Sequence, residues 1–341
     1  LSVGNLSVLN KFIFFLNTIV ALLLLFSCIV PHISVEKISA LSILSLTVPI
    51  LVLINFVFLL YWAFAQKKQL LLSLIVLLLG YFLLGTFFNF KFSQEEILEE
   101  DLSVMSYNVR GFNKYNWIED ASLGDQIIDF IKGEDPDILC FQEFSRIRNR
   151  QLKNYPYNYI TPPSKKDKSI QAIYSKYPIT ARGSLDFPET SNNAIYVDIK
   201  YKKDTIRVYN LHLQSLKVIP NADAISKEPS AKLYKRLSKT FANQQKQAEI
   251  VYNHSRQVQY KKIISGDFNN NQFSNVYHKI KGEMQDTFEE LGTGYGRTYN
   301  FEYYPVRIDF ILVDEQMEVM AHKNYDVKLS DHFPVMASIK L

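Results

Sequence analysis

The first 92 residues of this 341-residue chain contain five lysines (11, 37, 67, 68 and 91) and one glutamate, Glu36, with neither arginine nor aspartate. The uncharged runs at 12–30, 38–65 and 69–90 each meet the roughly 20 apolar residues that cross a bilayer's hydrocarbon core. No charge and no polar stripe of the kind a soluble surface helix presents interrupts residues 71–79. A cleaved signal peptide accounts for one run at most, because its apolar core is shorter and two more runs follow. Residues 1–92 therefore predict a three-span transmembrane anchor, which excludes an ordinary soluble globule and a disordered chain. Pro49 falls inside the second run and predicts a kink, its freed carbonyl satisfied by neighbouring helices. The first residue is Leu rather than Met, and the natural N-terminus is expected upstream of it.

Charge placement adds an orientation. The chain has 38 basic and 34 acidic residues, and beyond residue 92 there are 33 of each, so the formal +4 belongs to the apolar segment. A neutral remainder weighs against a strongly basic nucleic-acid module. Lys11, Lys67 and Lys68 fall on the cytoplasmic side by the positive-inside rule. The expected location is thus a multi-pass cell (inner) membrane, with everything after the third span extracytoplasmic. Glu95, Glu96, Glu99, Glu100 and Asp101 read as an acidic linker over 93–101. No ionisable residue lies within a span, so the spans read as an anchor rather than a transporter or channel. Cys28 and Cys140 sit far apart in apolar runs, which excludes a disulfide framework and a cysteine-based zinc site.

Residues 102–341 are long enough for one sizeable core. Strand-like runs recur at 102–108, 137–141, 170–175, 194–200, 205–213, 262–266, 307–313 and 335–340, with helical patterns at 124–132 and 233–253. The mixture predicts an α/β or α+β layered domain. Polar residues fall where core strands avoid them. One run ends at Asn108 and another runs apolar into Glu143; period-two alternation puts Asn210 and His212 on one face of a third. A Gly266 turn carries Asp267 and Asn269, Asp309 lies within an apolar run, and a loop holding Asp331 and His332 leads into the last strand. Singly, each has an ordinary structural explanation: a turn residue, a first solvated residue, a core histidine, an Asp paired with a structural Arg. Together, two Asn, three Asp, one Glu and two His form the inventory of a hard-metal hydrolytic site. Carboxylate and amide oxygens suit Mg²⁺, with Mn²⁺ the other candidate.

The segments SYNVRGFN (106–113), DILCFQEF (137–144), QAIYSKYPI (171–179), VYNLHLQS (208–215), ISGDFNNN (264–271), RIDFILV (307–313) and LSDHFPV (329–335) resemble, in order and wording, the endonuclease/exonuclease/phosphatase family of DNase I-like enzymes. The resemblance spans nearly all of 102–341. It implies a four-layer α-β-β-α sandwich of two packed β-sheets, with the site at one edge. It also implies roles: Glu143 as the main Mg²⁺ ligand with Asp331 and Asn108, and His332 as catalytic histidine with Asp309 fixing its tautomer. Asp267 orients or deprotonates the attacking water, Asn269 holds phosphoryl oxygens, and His212 binds a non-bridging oxygen or assists the leaving group. Asn108 is also implied in substrate binding. Whether Asp267 or His332 is the base stays open, and Ser330 reads as a loop hydrogen-bonder.

The expected function is a membrane-anchored, Mg²⁺-dependent phosphodiester hydrolase acting on nucleic acid. The alternative is the same chemistry on a phospholipid or sphingomyelin-type head group or a small phosphoester, which the tether favours; a non-catalytic membrane scaffold is a distant third. His254, His278 and His322 read as surface residues. Lys165, Lys166 and Lys168 read as a solvated basic loop. Tyr299, Phe301, Tyr303 and Tyr304 read either as a stacking or lipid-facing edge near the site or as core.

Overall fold

The computed structural model describes residue 4 and residues 6–33, 39–91, 100–217, 229–301 and 304–341. Residues 93–99 of the expected linker, and Tyr303, lie outside the described residues.

The apolar segment forms α1 (Val8–Ser27), α2 (Ser39–Leu44), α3 (Val48–Phe64) and α4 (Leu70–Leu84). Two stretches, Val8–His32 and Ser42–Phe64, are long and apolar enough to cross a membrane. The expected third span at 69–90 is corrected. Helix α4 has 15 residues, about 22 Å of rise against a hydrocarbon core of about 30 Å. It stops at Gly85, whose φ of 85° leaves the helix, and Asn89 then pairs with Gly294 through two backbone bonds of 2.8 and 2.9 Å. Docking onto the following domain thus takes the last residues of the apolar run. Pro49 sits in the first turn of α3, after a 3-10 turn at Ser45–Thr47, so the second run changes helix type instead of kinking. Inside the bundle Trp62 Nε1 donates to Asn17 Oδ1 (3.0 Å) and Asn17 Nδ2 to Ser73 Oγ (2.7 Å), joining α1, α3 and α4.

Two mixed sheets follow. The first has the order β11-β12-β1-β2-β4-β3, built from β1 (Leu102–Asn108), β2 (Ile138–Gln142), β3 (Tyr157–Ile160), β4 (Ala172–Ser175), β11 (Glu318–Asn324) and β12 (Val335–Lys340). The second has the order β5-β6-β7-β8-β10-β9, from β5 (Ile179–Ser184), β6 (Asn193–Tyr201), β7 (Asp204–His212), β8 (Lys261–Asp267), β9 (Gln285–Asp286) and β10 (Asp309–Val313). Each contains one parallel pair, β1–β2 and β7–β8; the other pairs are antiparallel.

Alternation along the strands builds the layers. Val104, Ile138, Cys140, Val197, Val208, Ile263 and Ile311 meet between the sheets. Their neighbours Met105, Leu139 and Phe141 face outward onto α5 (Leu123–Glu134), through Ile127, Ile128 and Ile131. Tyr209, Leu211, Ile264 and Phe310 face α6 (Ser230–Ser255) and α7 (Asn275–Lys281), meeting Ala248, Val251, Val276 and Ile280. A short α8 (Thr287–Leu291) precedes β10. Two packed sheets with helices outside agree with the expected sandwich.

The N-terminal helices dock on this domain rather than trailing from it. Asn275 Nδ2 donates to Pro31 O (2.8 Å), Asn271 Nδ2 to Ser45 O (3.0 Å) and Tyr304 Oη to Leu46 O (3.3 Å). Phe273 enters the helical core beside Leu24, Leu51 and Leu84.

Candidate active site

The same alternation that aims Val104, Ile138, Val208 and Ile263 between the sheets also aims Asn108, Gln142, His212 and Asp267 there, an even number of residues further along. In β1, β2, β7 and β8 those are the carboxyl ends. Strand β10 runs antiparallel to β8 with Asp309 opposite Asp267, and β12 runs antiparallel to β1, which brings the preceding loop with Asp331 and His332 to the same edge. Asp309 is the first residue of its strand, at the rim, not mid-strand as the run 307–313 implies.

Close geometry joins the residues. His332 Nδ1 lies 2.9 Å from Asp309 Oδ2, and His332 Nε2 is 3.7 Å from Asp267 Oδ2. The other Asp267 neighbours are Asn108 Nδ2 and Asn269 Nδ2, each donating to Oδ2 at 3.1 Å, and Asn269 N, donating to Oδ1 at 2.8 Å. His212 Nε2 is 3.7 Å from Asp267 Oδ2 and 3.8 Å from Glu143 Oε1. Asp267, Asp309 and His332 are at most 5% exposed, whereas the Glu143 side chain is 41% exposed and opens to the cavity. Asp331 accepts an ion pair from Arg110 Nη1 (3.0 Å), and Ser330 Oγ donates to Asn108 O (2.9 Å), as a loop hydrogen-bonder should. The Asn269 amide also donates to Leu213 O (2.9 Å), so its donors brace the Asp267 turn.

Backbone strain accompanies this placement. Glu143 and Asn269 sit at φ of 50° and 49°, in the left-handed region that Asn tolerates and Glu avoids. Gly266 has φ of 134°, and a Cβ there would fall 2.1 Å from Leu211 O on the paired strand. Only glycine lets β8 approach β7 closely enough to set Asp267 opposite His212.

Burial and neighbouring charge set the protonation balance. Burial pushes the Asp267 carboxyl well above the usual carboxylate range, against the pull of His332. Burial also acts to lower His332, but the Asp309 and Asp267 carboxylates override it and hold that imidazole well above its ordinary value. His212 is lowered, mainly by burial, with Glu143 opposing.

Oxygen donors dominate the edge, and Asp267, Asp309 and His332 have ligand atoms within 4.8 Å of one another. Asp309 Oδ1 is buried without a hydrogen-bond partner. Four carboxylates facing the cations Arg110 and His332 leave a negative surplus that a divalent cation would offset, so the donor set fits a hard metal. Asn108 turns its amide nitrogen toward Glu143 (3.5 Å), and ligation there needs the flipped amide.

Sequence reading missed a polar seam beneath the site. Gln142 Nε2 donates to Asn210 Oδ1 (2.7 Å), Asn210 Nδ2 to Phe141 O (2.8 Å) and Ala172 O (3.0 Å), and Gln171 Nε2 to Asn210 O (2.9 Å). These buried amides tie the two sheets together. Their signal was available, as amides at inward positions of apolar strands. His254, His278 and His322, expected on the surface, are at least half-buried. His322 is 2% exposed between Thr287 Oγ1 (2.8 Å) and Asn324 Oδ1 (3.2 Å), His254 accepts or donates at Tyr209 Oη (2.8 Å), and His278 is half-buried. Lys168 likewise is held inside, donating to Phe187 O and Thr190 O (2.5 and 2.7 Å), not solvated. The buried Arg307 pairs with Asp286 (2.6 Å) and leaves Asp309 to His332.

A buried carboxylate–imidazole–carboxylate chain beside an open glutamate, at the edge of two packed sheets, defines a metal-assisted phosphoester hydrolase. The sequence profile of the endonuclease/exonuclease/phosphatase family matches residues 105–332, and the chain belongs to that family. A second profile, described as a domain of unknown function, matches residues 10–87. No curated protein matches the chain. Similar solved structures include D. rerio TDP2 complexed with single-strand DNA product (16% identity, TM-score 0.55, 71% of this chain and 100% of that one). Others are an endonuclease/exonuclease/phosphatase family protein from Bacteroides thetaiotaomicron (20%, TM-score 0.52, 70% and 97%) and a mannosyl-6-phosphatase from the same species (21%, TM-score 0.51, 70% and 100%). At these identities the likeness is one of fold.

Proposed function

We propose that this protein is a membrane-anchored, divalent-metal-dependent phosphodiester hydrolase working by in-line attack of water. The observation that carries the reading is the Asp309–His332–Asp267 chain, at 2.9 and 3.7 Å, facing Glu143 and His212 across one cavity. A phosphodiester is anionic and repels an incoming nucleophile, so the site must offset charge, aim water and stabilise the leaving oxygen. Mg²⁺ or Mn²⁺ held by Glu143 with Asp331 and Asn108 would supply the charge neutralisation. Asp267, fixed on both oxygens by Asn108 and Asn269, aims the water. His332, held still by Asp309, directs Nε2 at a phosphoryl oxygen, His212 Nε2 offers a second contact, and Asn269 acts through the Asp267 turn it braces.

Anchoring rests on the two long apolar helices. Lys11 lies in the first turns of α1 and Lys67 and Lys68 lie between α3 and α4, while Pro31, Ser45 and Leu46 meet the catalytic domain. The lysines are therefore at the end of the bundle away from the domain, which supports a cell (inner) membrane location with an extracytoplasmic site. Nucleic acid as substrate draws support from the fold shared with TDP2. Against it, the lysine and arginine side chains among the described residues lining the cavity are Lys217 and Arg307, and Arg307 is paired with Asp286.

The test is hydrolysis of bis-p-nitrophenyl phosphate by the full chain in detergent, with Mg²⁺ or with EDTA. Asp267→Asn and His332→Gln should each lower kcat by about 10³-fold, and EDTA should abolish turnover. Full activity in EDTA, or in both variants, would sink the proposal.

A further inference from the structure

The catalytic cavity is not walled by its own domain alone. One side is closed by Leu46, Pro49 and Phe87 of the N-terminal segment. Pro49, Phe87, Tyr295, Tyr304 and Pro305 line this cavity, of about 210 Å³, and also a second hollow of about 670 Å³. With five lining residues in common, the two hollows adjoin across those side chains. At one end are Glu143, His212, Asp267 and His332; at the other are Val52, Leu53, Phe56 and Leu77.

The second end runs along a membrane helix. Pro49, Leu53 and Phe56 follow one another at i, i+4 and i+7 on α3, a path of about 10 Å along its axis. Leu53 is 61% and Phe56 48% exposed, so the second hollow opens sideways onto the surface that α3 turns to hydrocarbon. Its junction is fixed by the Tyr304–Leu46 hydrogen bond and by Phe87 packed on Tyr295, ring centroids 5.7 Å apart.

A polar phosphoester site adjoining an apolar trough matches one molecule with a phosphate head and a hydrocarbon tail. Building on the hydrolase reading above, we infer that the substrate is a membrane lipid phosphoester that enters from within the bilayer. Its phosphorus sits between Asp267 and His332 and one chain lies along Pro49, Leu53 and Phe56. The reaction is plain hydrolysis: the water oxygen bonds to phosphorus, the P–O bond to the leaving alcohol breaks, and that alcohol departs with the proton the water loses. A lipid chain is already surrounded by hydrocarbon, so the trough adds no hydrophobic driving force; its contribution is to hold the head group in register with the site. The charged backbone of a nucleic acid could not follow such a trough into hydrocarbon.

The test compares hexadecyl and methyl esters of p-nitrophenyl phosphate, which share a leaving group and differ only in the chain. The full-length protein in mixed micelles, at fixed surface concentration, should favour the hexadecyl ester in kcat/KM by at least about ten-fold. Leu53→Trp, which fills the trough, should bring that ratio toward one, and Phe56→Trp provides the same test on a second side chain. Phe82→Trp, exposed on α4 and lining neither hollow, should leave the ratio as it is. Taking the ratio within each variant cancels any general loss of active protein. A wild-type ratio near one, or a ratio untouched by both trough variants, overturns the lipid inference. So does a preference for single-stranded DNA over the hexadecyl ester. If the methyl ester is meanwhile turned over with Mg²⁺ and lost in Asp267→Asn, the hydrolase reading stands; if neither ester is ever hydrolysed, that reading fails instead.

Discussion

Asp267 shows how much a single backbone position controls. Its carboxylate reaches the site because Gly266 allows β8 to lie against Leu211, where any Cβ would strike the backbone at 2.1 Å. Gly266→Ala should cost about 3 kcal/mol or more and lower the denaturation midpoint measurably. Gly266-Asp267 was visible in the sequence as a turn, but the close approach that requires glycine was not, since it depends on a strand more than 50 residues earlier. His322 was misread for the same reason: nothing local to it predicts the cover that Thr287 and Phe288 provide. Burial, the largest cause, holds its imidazole down to about 4, so the native state keeps it neutral while the unfolded chain protonates near its ordinary value. The sign follows: its contribution to stability is complete above about pH 6.5 and is lost as the pH falls toward 4. Across that window the loss should be about 3 kcal/mol, and thermal unfolding of His322→Gln, compared with wild type at pH 7.5 and 4.5, should show a smaller pH dependence.

At the scale of elements, central strands were legible and edge strands were not. Runs such as 102–108 and 205–213 announce themselves because both faces are buried, and β1, β7 and β8 are covered on each side. Strands β3, β5 and β11 went unread; each lies at a sheet edge, and β5, largely exposed along Ile179–Ser184, carries no such signature. The seam formed by Gln142, Gln171 and Asn210 explains why amides occupy inward positions just below the catalytic edge. Asn210→Leu should cost about 2 kcal/mol or more by stranding Gln142 and the carbonyls of Phe141 and Ala172, read as a lowered unfolding midpoint. Within the helical bundle the corresponding polar tie is Asn17, between Trp62 and Ser73. Asn17→Leu should destabilise the bundle by about 1 kcal/mol in detergent, checked by thermal unfolding followed through Trp62 fluorescence.

For the whole molecule, the helices and the catalytic domain form one packed body. Phe273 lies in the helical core, and Ile43 and Leu46 cover Leu216, Leu237 and Phe241. Removing residues 1–91 would expose those side chains as a contiguous apolar patch, and the remaining chain should elute as aggregate in size-exclusion chromatography without detergent. A monodisperse, detergent-free domain would show that the docking is dispensable. Orientation is open to limited proteolysis of intact spheroplasts, where digestion of the catalytic domain is the expected outcome and full protection would reverse the topology.

The gathering of polar residues at one edge was largely decided by the sequence itself. Asn108, Glu143, His212, Asp267, Asp309 and His332 each follow an apolar run or mark the rim of one, and strand parity assigns a face to every residue it reaches. Hydrogen-bonded strands then bring such ends together, so the constellation could be read before its distances were known. Partners across the apolar surface could not. Attraction between apolar groups has no direction, so Pro49, Phe87 and Phe273 announce only that they will be covered, not by what. Tertiary packing chose their partners: it shortened the expected third span at Gly85, set the helices against the mouth of the site, and made the N-terminal segment part of the cavity wall.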